Sequence, residues 1–165
     1  MKIVKNNVCA PEGFTALGKA VGIKKSGNPD LAVIFSEKRA NAAAVYTENK
    51  VKGAPLAVTK KNLRDGKAQA IVVNSGVANV CTGKKGIKDA EDIAKAASHE
   101  LGIEKSDVIV SSTGLIGAFL PMGRISKGLK GIKKELSKSS KVAEAILTTD
   151  KRIKELIKNG SKGKT

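Results

Sequence analysis

At 165 residues, with 41% hydrophobic and 28% charged residues, the chain has the size and make-up of one ordinary domain with a buried core. Its apolar runs are too short to span a bilayer, and its first residues, MKIVKNNVCAPEG, contain no apolar signal segment; no membrane partner is expected, and a cytoplasmic setting is. The formal net charge of +16 invites a nucleic-acid reading, but the few aromatics (Phe14, Phe35, Tyr46 and Phe119) cannot build a base-stacking platform.

In chain order, strands are predicted at Leu31 to Phe35, Ala42 to Thr47, Pro55 to Thr59 and Ala70 to Asn74. Each is rich in Val, Ile, Ala or Thr and bounded by Gly, Pro, Asn or Asp. The unbroken Ile71-Val72-Val73 predicts a strand buried on both faces. A helix follows over Ile87 to Leu101, where Ile87, Ala90, Ala94, Ala97 and Leu101 recur at helical spacing. Asp89, Glu91 and Asp92 sit in its first turns, where the helix dipole favours negative charge, and His99 falls on the opposite, exposed face. Val108 to Ser111 is the fifth predicted strand. A second helix carries Ile125, Leu129, Ile132 and Leu136 on one face, weakened by Gly128 and Gly131 at about 1 kcal/mol each. A third, short helix is predicted at Val142 to Leu147. Beyond it, Ile153, Leu156 and Ile157 make one amphipathic patch before a frayed NGSKGKT. Strands alternating with helices predict an α/β fold, a mixed sheet with helices on one face.

From Arg124 onward, thirteen Lys or Arg stand against Glu135, Glu144, Asp150 and Glu155. That excess is either a solvated lysine-rich face or a surface for polyanions. Cys9 and Cys81 are far apart and, with the single His99, make no zinc site, so neither metal nor cofactor is expected. The ending GSKGKT is not a P-loop, because Lys158 stands where the first glycine of that pattern is required.

Two glycine-punctuated segments carry more chemistry. NSGVANVCTG, Asn74 to Gly83, lies between the buried strand and the first helix. That layout either presents backbone N–H groups to a ligand or forms a plain turn in which Asn and Ser bond the local backbone. SSTGLIG, Ser111 to Gly117, ends another strand. A Thr113 hydroxyl beside a Gly114 N–H supplies two convergent donors for a developing oxyanion, unless the segment is only a structural turn. As nucleophiles, Ser111, Ser112 or Thr113 would need an adjacent base, and nothing ties His99 to this loop.

Together these segments resemble the ornithine acetyltransferase family, also called glutamate N-acetyltransferase or ArgJ, of arginine biosynthesis. The motifs are Ala10 to Phe14 (APEGF), Gly22 to Gly27 (GIKKSG), Asp30-Leu31-Ala32, Tyr46 to Lys52 (YTENKVK) and Ala54-Pro55. NSGVANVCTG follows, with Val77 in place of a family Asn, then Gly86 to Ala90, SSTGLIG, Leu120-Pro121-Met122 and Ala143 to Asp150 (AEAILTTD). The resemblance runs over roughly residues 8 to 150. It defines residues 1–150 as an α-chain-like domain, with 151–165 a basic C-terminal helix or tail outside it.

In that family a precursor cleaves itself at an Ala-Thr bond, and the freed N-terminal Thr takes the acetyl group of N-acetylornithine and passes it to glutamate. The resemblance implies an oxyanion hole of Thr113 hydroxyl and Gly114 N–H, and substrate contact by Thr148 or Thr149. The family's cleavage-site segment is not found after Asp150. The nucleophile is therefore expected from a separately encoded β-chain-like partner, in a homo- or hetero-oligomer. With no second chain over its sheet, the isolated chain is expected to self-associate or be unstable. Two alternatives stand beside this one: a truncated noncatalytic paralogue that only binds, and a basic polyanion or nucleic-acid binder.

Overall fold

The chain enters the structure at β1 (Ile3–Val4), which pairs antiparallel with β6 (Ile157–Lys158) in a ladder of its own. It then builds a four-stranded sheet in spatial order from β2 (Phe14–Lys19), β3 (Leu31–Asn41), β4 (Lys67–Val77) and β5 (Val108–Leu115). The first two junctions are antiparallel and β4 runs parallel to β5, so the sheet is mixed. The computed structural model describes residues 3–4, 8–138, 141–150, 152–153 and 157–158.

The parallel pair is joined by α2 (Gly83–Leu101), the helix that apolar spacing predicts. Its buried stripe is Ala90, Ile93, Ala94, Ala97 and Leu101, whereas Ile87 is exposed. Gly102, in the left-handed region at φ 73°, ends it, and the Gly102 and Ile103 N–H groups both bond the Ser98 carbonyl. The helix predicted over residues 125–136 is two pieces, α3 (Met122–Leu129) and α4 (Ile132–Glu135). Gly131, at φ 73°, breaks it.

Residues Pro55 to Thr59, predicted as a strand, are instead part of α1 (Ala54–Asn62). Pro55 sits in the first turn, where its missing N–H costs nothing, and Lys60 and Lys61 end the helix where the dipole favours cations. Tertiary placement overrides the strand propensity of Val58 and Thr59, because α1 covers the open edge of β5. The Thr59 hydroxyl donates to the Val110 carbonyl at 2.7 Å and accepts from the Val110 N–H at 3.0 Å. The Asn62 amide donates to the carbonyls of Lys105 (3.1 Å) and Val108 (2.8 Å). Two helix side chains thus stand in for a missing neighbouring strand. The strand predicted at Ala42 to Thr47 is irregular: the Ala42 N–H donates to the Gly66 carbonyl at 2.8 Å, no strand among the described residues pairs with the rest, and Val45 is fully exposed.

The two faces of the sheet differ. On the inner one, Leu31, Val33, Val72, Val108 and Val110 pack against α1, α2, α3 and α4. On the outer one, Ala16 and Ala32 pack with Cys9 and with α5 (Val142–Ala145), which lies so close that a side chain at Gly18 would strike the Lys141 backbone. Ile71 and Val73 are half-buried there while Val72 is 1% exposed, so β4 is fully buried on one face and not on both. A fully buried Leu, Ile or Val contributes roughly 1.5–3 kcal/mol. The inner face therefore carries most of the stability, and the outer face is left with little cover at one end. Of the predicted C-terminal patch, Ile153 is exposed; Leu156 and residues 159–165 lie outside the described residues.

Candidate active site

The C-terminal ends of β4 and β5 bring both glycine-punctuated segments side by side. The parallel register pairs Asn74 with Ser112, Ser75 with Thr113, Gly76 with Gly114 and Val77 with Leu115. Carboxyl ends of parallel strands are where ligands collect in open α/β sheets. Gly114 has φ 129°, and a Cβ there would lie 2.6 Å from the Gly76 oxygen and 2.7 Å from the Val77 nitrogen. Only glycine permits this backbone-to-backbone approach. Thr113 is half-buried, Gly114 is exposed, and among the described residues no hydrogen bond holds the Thr113 hydroxyl.

The polar residues around this pair are occupied with structure. Asn74, 1% exposed, donates to the Val77 carbonyl at 2.8 Å and accepts from Ser112 Oγ at 2.5 Å. Asn79, fully buried at φ 53°, donates to the Gly86 carbonyl at 2.9 Å and accepts from Thr82 Oγ1 at 2.7 Å. A Cβ at Gly86 would stand 2.5 Å from Asn79 Oδ1, which is why the first turn of α2 has a glycine here. Asn74 and Asn79 of NSGVANVCTG therefore bond the local backbone, whereas Ser75 Oγ reaches the distant Ala145 carbonyl.

His99 is 86% exposed near the C-terminus of α2, at the end of the sheet where β5 begins, and its near neighbour is Glu100 at 3.7 Å. It cannot serve Ser111, Ser112 or Thr113 as a base. Among the described residues, no group of three or more His, Cys, Asp or Glu is placed to hold a metal, and no helix is long and apolar enough to cross a membrane.

Two further pieces complete the surroundings. Asp30, fully buried, accepts the backbone N–H groups of Val21 (2.7 Å), Ile23 (2.5 Å) and Lys24 (2.9 Å), fixing the loop that packs over Gly76. Its own carbonyl accepts the Ser75 N–H at 2.9 Å. Lys24 Nζ reaches the Pro29 carbonyl at 2.8 Å and the Ala145 carbonyl at 3.4 Å. Burial lowers the Lys24 pKa from the ordinary lysine value, against the opposing pull of Asp30 and Glu144. Ser75 Oγ also donates to the Ala145 carbonyl, at 2.5 Å, so the end of α5 is fastened to the end of β4. Thr148 and Thr149 follow on an exposed bend and, among the described residues, make no hydrogen bond to Thr113 or Gly114. Sequence reading gave no role to Lys24, Asp30 or Ser75. The one available signal was their place within motifs, as no spacing rule links them.

Beside the strand ends, Leu115, Ile116 and Phe119 expose 66%, 62% and 58% of their surface, forming an apolar rim. A groove of about 490 Å³ opens nearby between α1 and the start of α2, lined by Tyr46, Val51, Leu56, Cys81 and Ile87 among others.

A sequence profile of the ArgJ family matches residues 15–165. The chain belongs to the ArgJ family. The match includes residues 151–165, beyond the Asp150 at which the motif resemblance stops. Among curated ArgJ relatives, the arginine biosynthesis bifunctional protein ArgJ of Caldanaerobacter subterraneus subsp. tengcongensis is 48% identical over 156 residues, 93% of this chain and 38% of the relative. ArgJ 2 of Clostridium acetobutylicum is 49% identical over 150 residues, 90% of this chain and again 38% of the relative. The chain thus spans about 38% of the length of these relatives, in their N-terminal portion. Two solved structures, each 39% identical, carry the same fold. The Bacillus halodurans ArgJ crystal structure has a TM-score of 0.82, covering 92% of this chain and 81% of that one. The Mycobacterium tuberculosis ornithine acetyltransferase, complexed with ornithine, has a TM-score of 0.86, covering 92% and 84%. The mixed four-stranded sheet, with α1 to α4 on its inner face and α5 on its outer one, is therefore the ArgJ fold.

Proposed function

We propose that the chain is the N-terminal, α-chain-like part of an ornithine acetyltransferase. It would move an acetyl group from N-acetylornithine to glutamate, with the threonine nucleophile supplied by polypeptide outside these 165 residues, whether continuous with them or separate. The observation that carries this reading is the Thr113 hydroxyl, unbonded among the described residues, beside Gly114 at the end of β5. Family membership and the likeness to an ornithine-bound acetyltransferase support it.

When the nucleophile's oxygen attacks the acetyl carbonyl carbon, the carbonyl π electrons move onto oxygen and leave an oxyanion. The Thr113 hydroxyl and the Gly114 N–H donate to that oxygen. The carbon–nitrogen bond then breaks as the nucleophile's hydroxyl proton passes to the leaving nitrogen, ornithine departs as the amine, and the acetyl group remains as an ester on the nucleophile. The glutamate amine attacks the same carbon, the same two donors hold the second oxyanion, the ester carbon–oxygen bond breaks as an amine proton returns to the nucleophile's oxygen, and N-acetylglutamate leaves. Donors held on one strand of a parallel pair need no reorganisation as charge develops, which makes them worth more than solvent. Thr148 or Thr149 contacts the substrate. The chemistry requires no cofactor, because both half-reactions only exchange an acyl group.

The test is acetyl transfer from N-acetylornithine to glutamate, measured on the chain alone and on the chain purified from its host with whatever polypeptide completes it. Activity is expected only in the completed protein. There, Thr113→Ala is expected to lower kcat about 10²–10³-fold, or about 3–4 kcal/mol in the barrier. Unchanged turnover would remove Thr113 from the mechanism, and activity of the pure chain would move the nucleophile to Ser111, Ser112 or Thr113.

A further inference from the structure

Ala145 is the last residue of α5, and its carbonyl is one of the acceptors a helix leaves unpaired at its C-terminal end. Two donors from distant parts of the chain converge on it, Ser75 Oγ at 2.5 Å and Lys24 Nζ at 3.4 Å. Neither is a casual surface contact. Ser75 is fully buried, and Lys24 stands on the loop whose three N–H groups are gripped by the buried Asp30. Asp30 closes the circuit by accepting the Ser75 N–H on its own carbonyl. Ser75 is in turn the register partner of Thr113. One continuous run of hydrogen bonds thus connects the strand position beside Thr113 to the residue three places before Thr148. A brace that served stability alone would not need a partly buried ammonium, whose desolvation works against folding.

We infer that Lys24 is a positioning residue: with Ser75 it fixes the end of α5, and so sets the Thr148–Thr149 bend relative to Thr113 and Gly114. The inference rests on the acyl-transfer reading, in which that bend contacts substrate. Lys24 acts on substrate binding through the bend and does not touch the reacting atoms.

The experiment is steady-state kinetics on the completed protein with Lys24→Met, which keeps side-chain length and removes the donors. KM for N-acetylornithine is expected to rise about tenfold with kcat held within about threefold, the signature of lost binding common to ground and transition states. Combined with Thr148→Ala and Thr149→Ala, Lys24→Met is expected to add nothing further, because residues acting through one contact are not additive. A full additional tenfold rise in that background overturns the inference, as does a fall in kcat at constant KM. Should Lys24→Met fail to fold, Ser75→Ala reads the same carbonyl and is expected to raise KM in the same way; a change confined to kcat overturns the inference. The underlying reading fails separately. An unchanged Thr113→Ala enzyme removes the oxyanion hole, and an unaffected KM in the double alanine variant overturns both the threonines' role and this inference. An affected double alanine variant with additive Lys24→Met overturns this inference alone.

Discussion

Replacing Thr59 by valine preserves the shape of the side chain and removes its hydroxyl. In the native structure that hydroxyl satisfies both the N–H and the carbonyl of Val110, on the strand edge that no other strand among the described residues covers. Thr59 is 5% exposed and Val110 2%, so water cannot readily replace the lost partner. Each buried backbone group left unpaired costs about 1–3 kcal/mol. The added methyl group returns roughly 0.8 kcal/mol by burial. The net expectation is a loss of about 3 kcal/mol, which for a domain of this size lowers Tm by about 6–12 °C. Thr59→Ser, which keeps the hydroxyl and loses the methyl, is expected to cost about 1 kcal/mol. Urea or thermal unfolding followed by circular dichroism compares the two. A valine variant as stable as the serine variant, or more so, would refute the view that α1 secures β5 by substituting for a strand.

Gly114→Ala is expected to cost about 3 kcal/mol or more, because its Cβ meets the Gly76 and Val77 backbone, which cannot turn aside. Gly117→Ala, also at positive φ but with nothing within 4 Å, is expected to cost only the backbone strain of about 1–2 kcal/mol; equal melting losses would contradict the close-approach argument. Stability is expected to fall in acid partly through Asp65, whose carboxyl is held below the ordinary carboxylate range by its hydrogen bond to Arg39. As pH falls, the unfolded chain takes up this proton first. The contribution is thus complete above the unfolded pKa and is lost as pH drops through the folded one. Arg39→Ala should flatten that part of the stability-against-pH curve, and superimposable curves would count against it.

Local pattern made the inner face legible and misread the places where one element depends on a distant one. The helix over Ile87 to Leu101 is found because five small or aliphatic residues recur at helical spacing, although the true stripe centres on Ile93 and leaves Ile87 outside. Pro55 carries a helix-start signal that the Val58-Thr59 strand propensity outweighed locally, since the partner that decides the matter, the β5 edge, lies some fifty residues on. Strand β2, FTALGK, was missed because Gly18 and Lys19 are poor strand formers; glycine stands there because α5 comes down onto it. Ala42 to Thr47 has strand composition, but among the described residues no strand pairs with it beyond the Ala42 bond to Gly66, and composition alone cannot supply one.

The site was legible as two motifs but not as one place. NSGVANVCTG and SSTGLIG each suggest a glycine turn after a strand, and each admits a purely structural reading. What joins them is register, in which Ser75 faces Thr113 and Gly76 faces Gly114 across a parallel pair. A side-chain-free contact between two glycines is then explained at once by both strands needing to end on the same spot. Of the two readings of NSGVANVCTG, the local-bonding one is seen directly: Asn74 and Asn79 do bond the local backbone. An oxyanion donor has to be unpaired in the resting protein and held still by something else. On the acyl-transfer reading proposed above, Asn74, which takes the Ser112 hydroxyl across the strand pair and ties the Val77 carbonyl, would supply that second condition.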